Sequence, residues 1–141
     1  MRKRACSSLV ILLLLAGLGA CRSDGPEAKV RKAFEACRVA VEAGDAAEAA
    51  KPLDKSFRGP EGLDKAAAKL YLMALLREQK VGVTVLRNEV MVQGDEVFQE
   101  VDLVLTERGG GLIPQDTSRR HFRLRWQKEA GEYRLMELDY S

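Results

Sequence analysis

The stretch "FRLRWQKEAGEYRLMELDY", Phe122 to Tyr140, holds two alternating patterns around one turn. Phe122, Leu124 and Trp126 alternate with Arg123 and Arg125, and His121 continues the polar set. A period of two describes a strand with one apolar and one wet face. Ala130-Gly131 reads as a tight turn, and Tyr133 to Tyr140 as the last strand. The chain therefore closes on an antiparallel hairpin.

Upstream, "VMVQGDEVFQEVDLVL", Val90 to Leu105, repeats the design. Val97, Val101, Leu103 and Leu105 share one face; Phe98, Glu100, Asp102 and Val104 share the other. Gln93-Gly94-Asp95-Glu96 is the turn signal. Before it, Val81, Val83 and Val85 alternate with Gly82, Thr84 and Leu86. The residues from Glu107 to about Ser118 read as a long loop with a glycine run. About four antiparallel strands are expected.

Further upstream the period becomes helical. Pro26 suits a first helical turn, with Asp24 or Gly25 as cap. Val30, Phe34, Cys37 and Val41 form one apolar stripe. Gly44 stops that helix. Asp45 caps a short second one, with Glu48 in capping-box position, and Pro52 ends it. Ser56 to Gly59 reads as loop. Gly59-Pro60-Glu61 opens a third helix, striped by Leu63, Ala67, Leu70 and Ala74, broadened by Tyr71 and Leu75, and ending near Gln79-Lys80. Helices followed by an antiparallel meander make an α+β domain whose helices cover one sheet face.

"VRKAFEACRVAVEAGDAAEAAKPLDKSF", Val30 to Phe57, together with the two hairpin segments, resembles the nuclear-transport-factor-2-like (cystatin-like) superfamily over most of residues 27–140. The order and spacing of these segments carry the resemblance. It implies a cone: a strongly curved sheet wrapping the helices, with a pocket at the open end and sheets that often pair into homodimers. The superfamily hosts enzymes such as ketosteroid isomerase and also non-catalytic binding modules, so the fold does not choose between them.

The N-terminus supplies an address. Arg2, Lys3 and Arg4 precede an unbroken apolar run from Leu9 to Ala20. This is the layout of a secretory signal, too short for the about 20 residues of a spanning helix. Leu18-Gly19-Ala20-Cys21 resembles a lipobox, which implies cleavage of residues 1–20 and acylation of Cys21. Residues 21–26 become a tether and 27–141 the domain. Two or three acyl chains anchor stably where one does not. Arg22, rather than an aspartate, follows the cysteine, so an outer-membrane position facing the periplasm is expected.

Processing changes the charge. The 23 basic residues fall to 20 when Arg2, Lys3 and Arg4 leave, against 21 acidic ones. The mature chain has no basic footprint for nucleic acid. Cys6 leaves and Cys21 is acylated, so Cys37 has no disulfide partner and reads as a small buried hydrophobe.

The candidate chemistry is sparse. His121 lies beside Arg119, Arg123 and Arg125 on the solvated face. Glu100 and Asp102 are expected to face Arg125 and Arg123 in a cross-strand charge ladder. Glu137 and Asp139 are the candidate bases. If Trp126 pairs with Leu135 and Leu124 with Glu137, both acids enter the hollow, where burial raises a carboxyl pKa. A slip of one residue sends both to water, and that is the preferred arrangement. Tyr71, Trp126, Tyr133 and Leu135 are the candidate pocket lining. No His, Cys and carboxylate set has metal-ligand spacing, and no cofactor is expected. The reading is a lipid-anchored envelope protein that binds a small apolar ligand or an envelope protein without catalysis. The alternative is an isomerase- or dehydratase-like enzyme using Glu137 or Asp139, with Tyr71 as donor.

Overall fold

The computed structural model describes residues 25–107 and 119–141. The signal segment, Cys21 and the glycine-rich loop lie outside the described residues. The element order is α1 (Pro26–Glu42), α2 (Ala46–Ala50), β1 (Leu53–Arg58), a 3-10 turn (Pro60–Gly62), α3 (Lys65–Glu78), β2 (Val81–Gln93), β3 (Glu96–Glu107), β4 (Arg119–Glu129) and β5 (Glu132–Tyr140). The five strands form one curved sheet in the order β1-β5-β4-β3-β2. The helices lie on its concave side.

The helix starts follow from their caps. Gly25 precedes Pro26 in extended conformation without a side-chain bond. The Asp45 carboxylate accepts from the Glu48 N–H at 3.0 Å and starts α2. Gly44, at φ +75°, makes the break between α1 and α2. α3 begins five residues later than Pro60. Its cap is Asp64, which accepts from the Ala67 N–H at 2.8 Å, while Pro60–Gly62 only turns the chain. Its packed face is also displaced from the expected stripe. Ala68 is buried and Leu72 half-buried, whereas Leu70 and Tyr71 are exposed.

The sheet has a fifth strand where a loop was expected. β1 covers Leu53–Arg58 and runs parallel to β5, with Leu53 opposite Leu135. The sheet is therefore mixed, not wholly antiparallel. β1 is short and its register shifts between Leu53 and Arg58. Asp54 folds back to accept from the Ser56 N–H at 2.9 Å and the Ser56 hydroxyl at 2.6 Å. That local turn breaks the alternation on which sequence reading depends. The gain is burial of Leu53 and Phe57.

Two bulges set the rest. β2 is continuous through residues 86–89, with an irregularity between Val85 and Arg87 opposite β3. β5 carries another opposite Arg125 and Trp126, where Leu135 pairs with Trp126 and Glu137 with Arg125. An extra residue on one strand bends it and resets its parity. The core lies under the sheet centre: Val30, Phe57, Val97, Val101, Leu124 and Trp126 are buried together.

Candidate functional site

The concave face was the expected pocket, and its centre is filled. Trp126 is 0% exposed, Leu135 4% and Tyr133 8%. These three are core. Tyr71 stands apart from them at 59% exposure on the outer side of α3. The four candidate lining residues therefore do not surround one hollow. The central feature is a polar chain. Trp126 Nε1 donates to Gln99 Oε1 at 2.9 Å, and Gln99 Nε2 donates to Asn88 Oδ1 at 3.0 Å. Gln99 is 1% exposed. A buried amide that lost both partners would cost free energy, so this chain fixes the orientation of the indole. Gln99 sits in the apolar register of Val97 and Val101, and a polar residue there was the available signal.

Glu137 and Asp139 face the other way. The bulge after Leu135 pairs Leu124 with Leu138, not with Glu137. Glu137 Oε1 accepts from Arg125 Nη2 at 2.9 Å, and Asp139 Oδ2 from Arg123 Nη2 at 2.9 Å. The hydrogen bond from Arg125 outweighs desolvation and holds the Glu137 carboxyl below its ordinary range. A carboxylate fixed in its charged form by an arginine is the opposite of a raised-pKa base. Both are withdrawn as bases of the hollow.

The charge ladder exists, one pair out of the expected register. Glu100 lies opposite Arg123 and Asp102 opposite His121. His121 Nδ1 meets Asp102 Oδ1 at 2.5 Å. That bond, ahead of the nearby guanidinium groups of Arg87 and Arg119, holds the Asp102 carboxyl below its usual range. Arg125 Nη1 adds Glu96 at 3.0 Å. The convex face is thus a set of paired charges. Among the described residues, no three His, Cys, Asp or Glu side chains come together as a metal site.

Solved structures superpose on this fold. A protein of unknown function from Pseudomonas putida KT2440, described as NTF2-like, superposes with a TM-score of 0.69 at 12% identity, covering 84% of this chain and 89% of that one. A protein with a cystatin-like fold from Nostoc punctiforme superposes with a TM-score of 0.66 at 12% identity, covering 81% and 88%. The fold is nuclear-transport-factor-2-like. A third solved structure, from Shewanella frigidimarina and named as a candidate ketosteroid isomerase, gives a TM-score of 0.61 at 17% identity, covering 78% and 92%. No protein-family model matches the sequence, and no curated protein does.

In this nuclear-transport-factor-2-like cone the open surfaces lie outside the hollow. A shallow groove of about 330 Å³ borders Arg58, Phe98, Arg123, Arg125, Glu137 and Asp139, whose ladder charges are already paired. A larger one of about 540 Å³ separates the α1–α2 turn from α3 and is lined by Ala46, Ala47, Lys69, Met73, Leu76 and Arg77. Beside it, Leu70 is 65% exposed and Met73 40%. α3 thus turns apolar side chains outward that its neighbours leave uncovered.

Proposed function

We propose that this protein is a lipid-anchored envelope protein whose nuclear-transport-factor-2-like domain binds a partner protein without catalysis. The observation that carries the reading is the outer face of α3. Leu70, Tyr71 and Met73 are exposed there beside a groove with an apolar floor. Clustered apolar side chains on a surface mark interaction sites, and tyrosine and methionine suit interface cores. The small-ligand reading has less support, because Trp126, Tyr133 and Leu135 occupy the place it needs. The isomerase-like alternative loses the two bases it named, since Glu137 and Asp139 are bound to arginines on the convex face.

Anchoring rests on the sequence of residues 1–21 alone. The basic head, the apolar run and the lipobox-like Leu18-Gly19-Ala20-Cys21 support cleavage before Cys21 and its acylation. Mass spectrometry of the mature N-terminus tests this: the expected species begins at a diacylglyceryl-modified, N-acylated Cys21. A free Cys21 thiol in membrane-extracted protein refutes the anchor. Arg22 supports an outer-membrane position, checked by density separation of the two membranes.

Partner binding is tested by a photo-crosslinking side chain placed at Leu70 or Met73 and, as control, at the exposed Gln127. One discrete protein adduct from α3 and none from Gln127 is the expected result. Equal or absent adducts at all three positions overturn it, and an apolar molecule recovered from the natively purified domain favours the ligand reading instead.

A further inference from the structure

Most arginines of this chain are paired within it. Arg31, Arg38, Arg87, Arg123, Arg125 and Arg134 each meet a carboxylate. α3 differs. Lys69 and Arg77 are exposed, and among the described residues neither has an ion pair or a hydrogen bond. Both line the groove between α3 and the α1–α2 turn, with Met73 and Leu76 between them. At about 1.5 Å of rise per residue, their positions lie about 12 Å apart along the helix. Lys69, Met73 and Leu76 follow at i, i+4 and i+7 and so share one side of α3. Arg77 comes four residues after Met73 and the exposed Leu70 three before it, which continues the apolar strip outward.

The facing wall is low and has no acid to spare. Gly44, Ala46 and Ala47 form it with Asp45, and their short side chains let another backbone come close. The Asp45 carboxylate is committed to the Glu48 N–H at 3.0 Å. Glu48 meets Lys51 at 3.7 Å, and Glu42 is paired with Arg38. The groove therefore combines an apolar floor with two cations that nothing in the described chain neutralises. On the partner-binding reading above, we infer that its occupant is an acidic amphipathic helix of another protein, laid along α3.

The apolar side of that helix covers Leu70, Met73 and Leu76, as helix-in-groove recognition does elsewhere. Its carboxylates stand about seven residues apart, two turns on one face, so that one reaches Lys69 and the other Arg77. A basic helix is rejected by like charge at both ends. Two exposed ion pairs set the choice of partner more than the affinity, and burial of the floor supplies the remainder. The floor lies between two walls in a concavity of about 540 Å³, which takes a helix and not a planar lipid surface.

The test uses the full chain in detergent and labelled helical peptides read by fluorescence anisotropy. One peptide sets leucines between two glutamates about seven residues apart. A second carries lysines in place of the glutamates, and a third moves the glutamates to the opposite face. The first is expected to bind about tenfold more tightly than the second, with the third between them. Lys69→Glu with Arg77→Glu, both at exposed positions, is expected to reverse the order of the first two and leave the melt unchanged. Equal binding of the three, no binding of any, or an order that the double variant leaves unchanged overturns the inference. A photo-crosslinking side chain at Leu70, in the wild-type and double-variant backgrounds, separates this result from the partner reading itself. A protein adduct lost in the double variant, and mapped to an acidic helical segment, supports both. An adduct equal in the two backgrounds keeps the partner and overturns the acidic helix. No adduct in either background removes the partner reading and the helix with it, and a lipid adduct does the same by placing this face on a membrane.

Discussion

Trp126 and Gln99 show how much one residue decides. The indole is fully buried and has one polar atom, which Gln99 satisfies at 2.9 Å. Trp126→Phe removes the donor and strands a buried acceptor. The expected loss is about 2 kcal/mol, read from the urea midpoint. Gln99→Leu in the Trp126→Phe background should recover part of it, because neither polar partner remains. Cys37 is the second case. Burial, with a smaller push from Glu48, raises its thiol from 9.0 to about 11. A shift of that size lowers the thiolate fraction at pH 8 about a hundredfold. Labelling of the Cys37 peptide should be slower by at least that factor in native than in urea-unfolded protein. Equal rates would show that the thiol is open to solvent.

Elements depend on single backbone choices. The β4–β5 turn has two residues, and both have positive φ, +50° at Ala130 and +80° at Gly131. That is the twist a right-handed hairpin wants, but alanine adopts it at a cost of about 1 kcal/mol. Asparagine tolerates it better. Ala130→Asn should raise Tm by about 4 °C in a scanning melt; a fall in Tm would mean that the turn is built otherwise. The bulge opposite Arg125 has the larger consequence. Met136 is the extra residue between Leu135, which pairs with Trp126, and Glu137, which pairs with Arg125. Were Met136 instead paired opposite Arg125, Glu137 would fall opposite Leu124 and Asp139 opposite Phe122, the core register that Leu138 and Tyr140 occupy. Deleting Met136 should close the ladder with Glu137 still opposite Arg125 and Asp139 still opposite Arg123, so the variant should keep a cooperative melt. A deletion variant without a cooperative melt would contradict this account of the bulge.

Across the whole molecule the convex face acts as an acid-sensitive surface. Asp102 is held low first by its bond with His121, Glu137 by Arg125 and Asp54 by the Ser56 hydroxyl. A carboxyl whose folded pKa is depressed stabilises the fold above its ordinary value of about 4. That stability is lost as pH falls through the folded value. Tm should therefore be flat near neutrality and drop steadily below about pH 4. Asp102→Asn should begin lower and fall less steeply over the acid range; a parallel fall would place the acid sensitivity elsewhere. The uncovered face of α3 and the free edge of β2 belong to this scale too, because each exists only through what the other elements fail to cover.

The order of elements was legible in the residues because it depends on short-range periods. The stripe of α1, the Asp45 cap, the two-residue hairpin turns and the inward set Phe122, Leu124 and Trp126 all follow from spacing along the chain. β1 was not legible, because it is short, bulged and paired with a strand about 80 residues away, Leu53 against Leu135. The start of α3 was misplaced because Pro60 mimics a helix opening that Asp64 supplies. The destination of Glu137 and Asp139 turned on one unpaired residue, and parity is invisible to composition. Local chemistry thus determined which segments are helix and strand. The folded sheet alone decided which side chains fill its hollow, which acids meet arginines and which edge is left open, because those depend on long-range register and on what covers what.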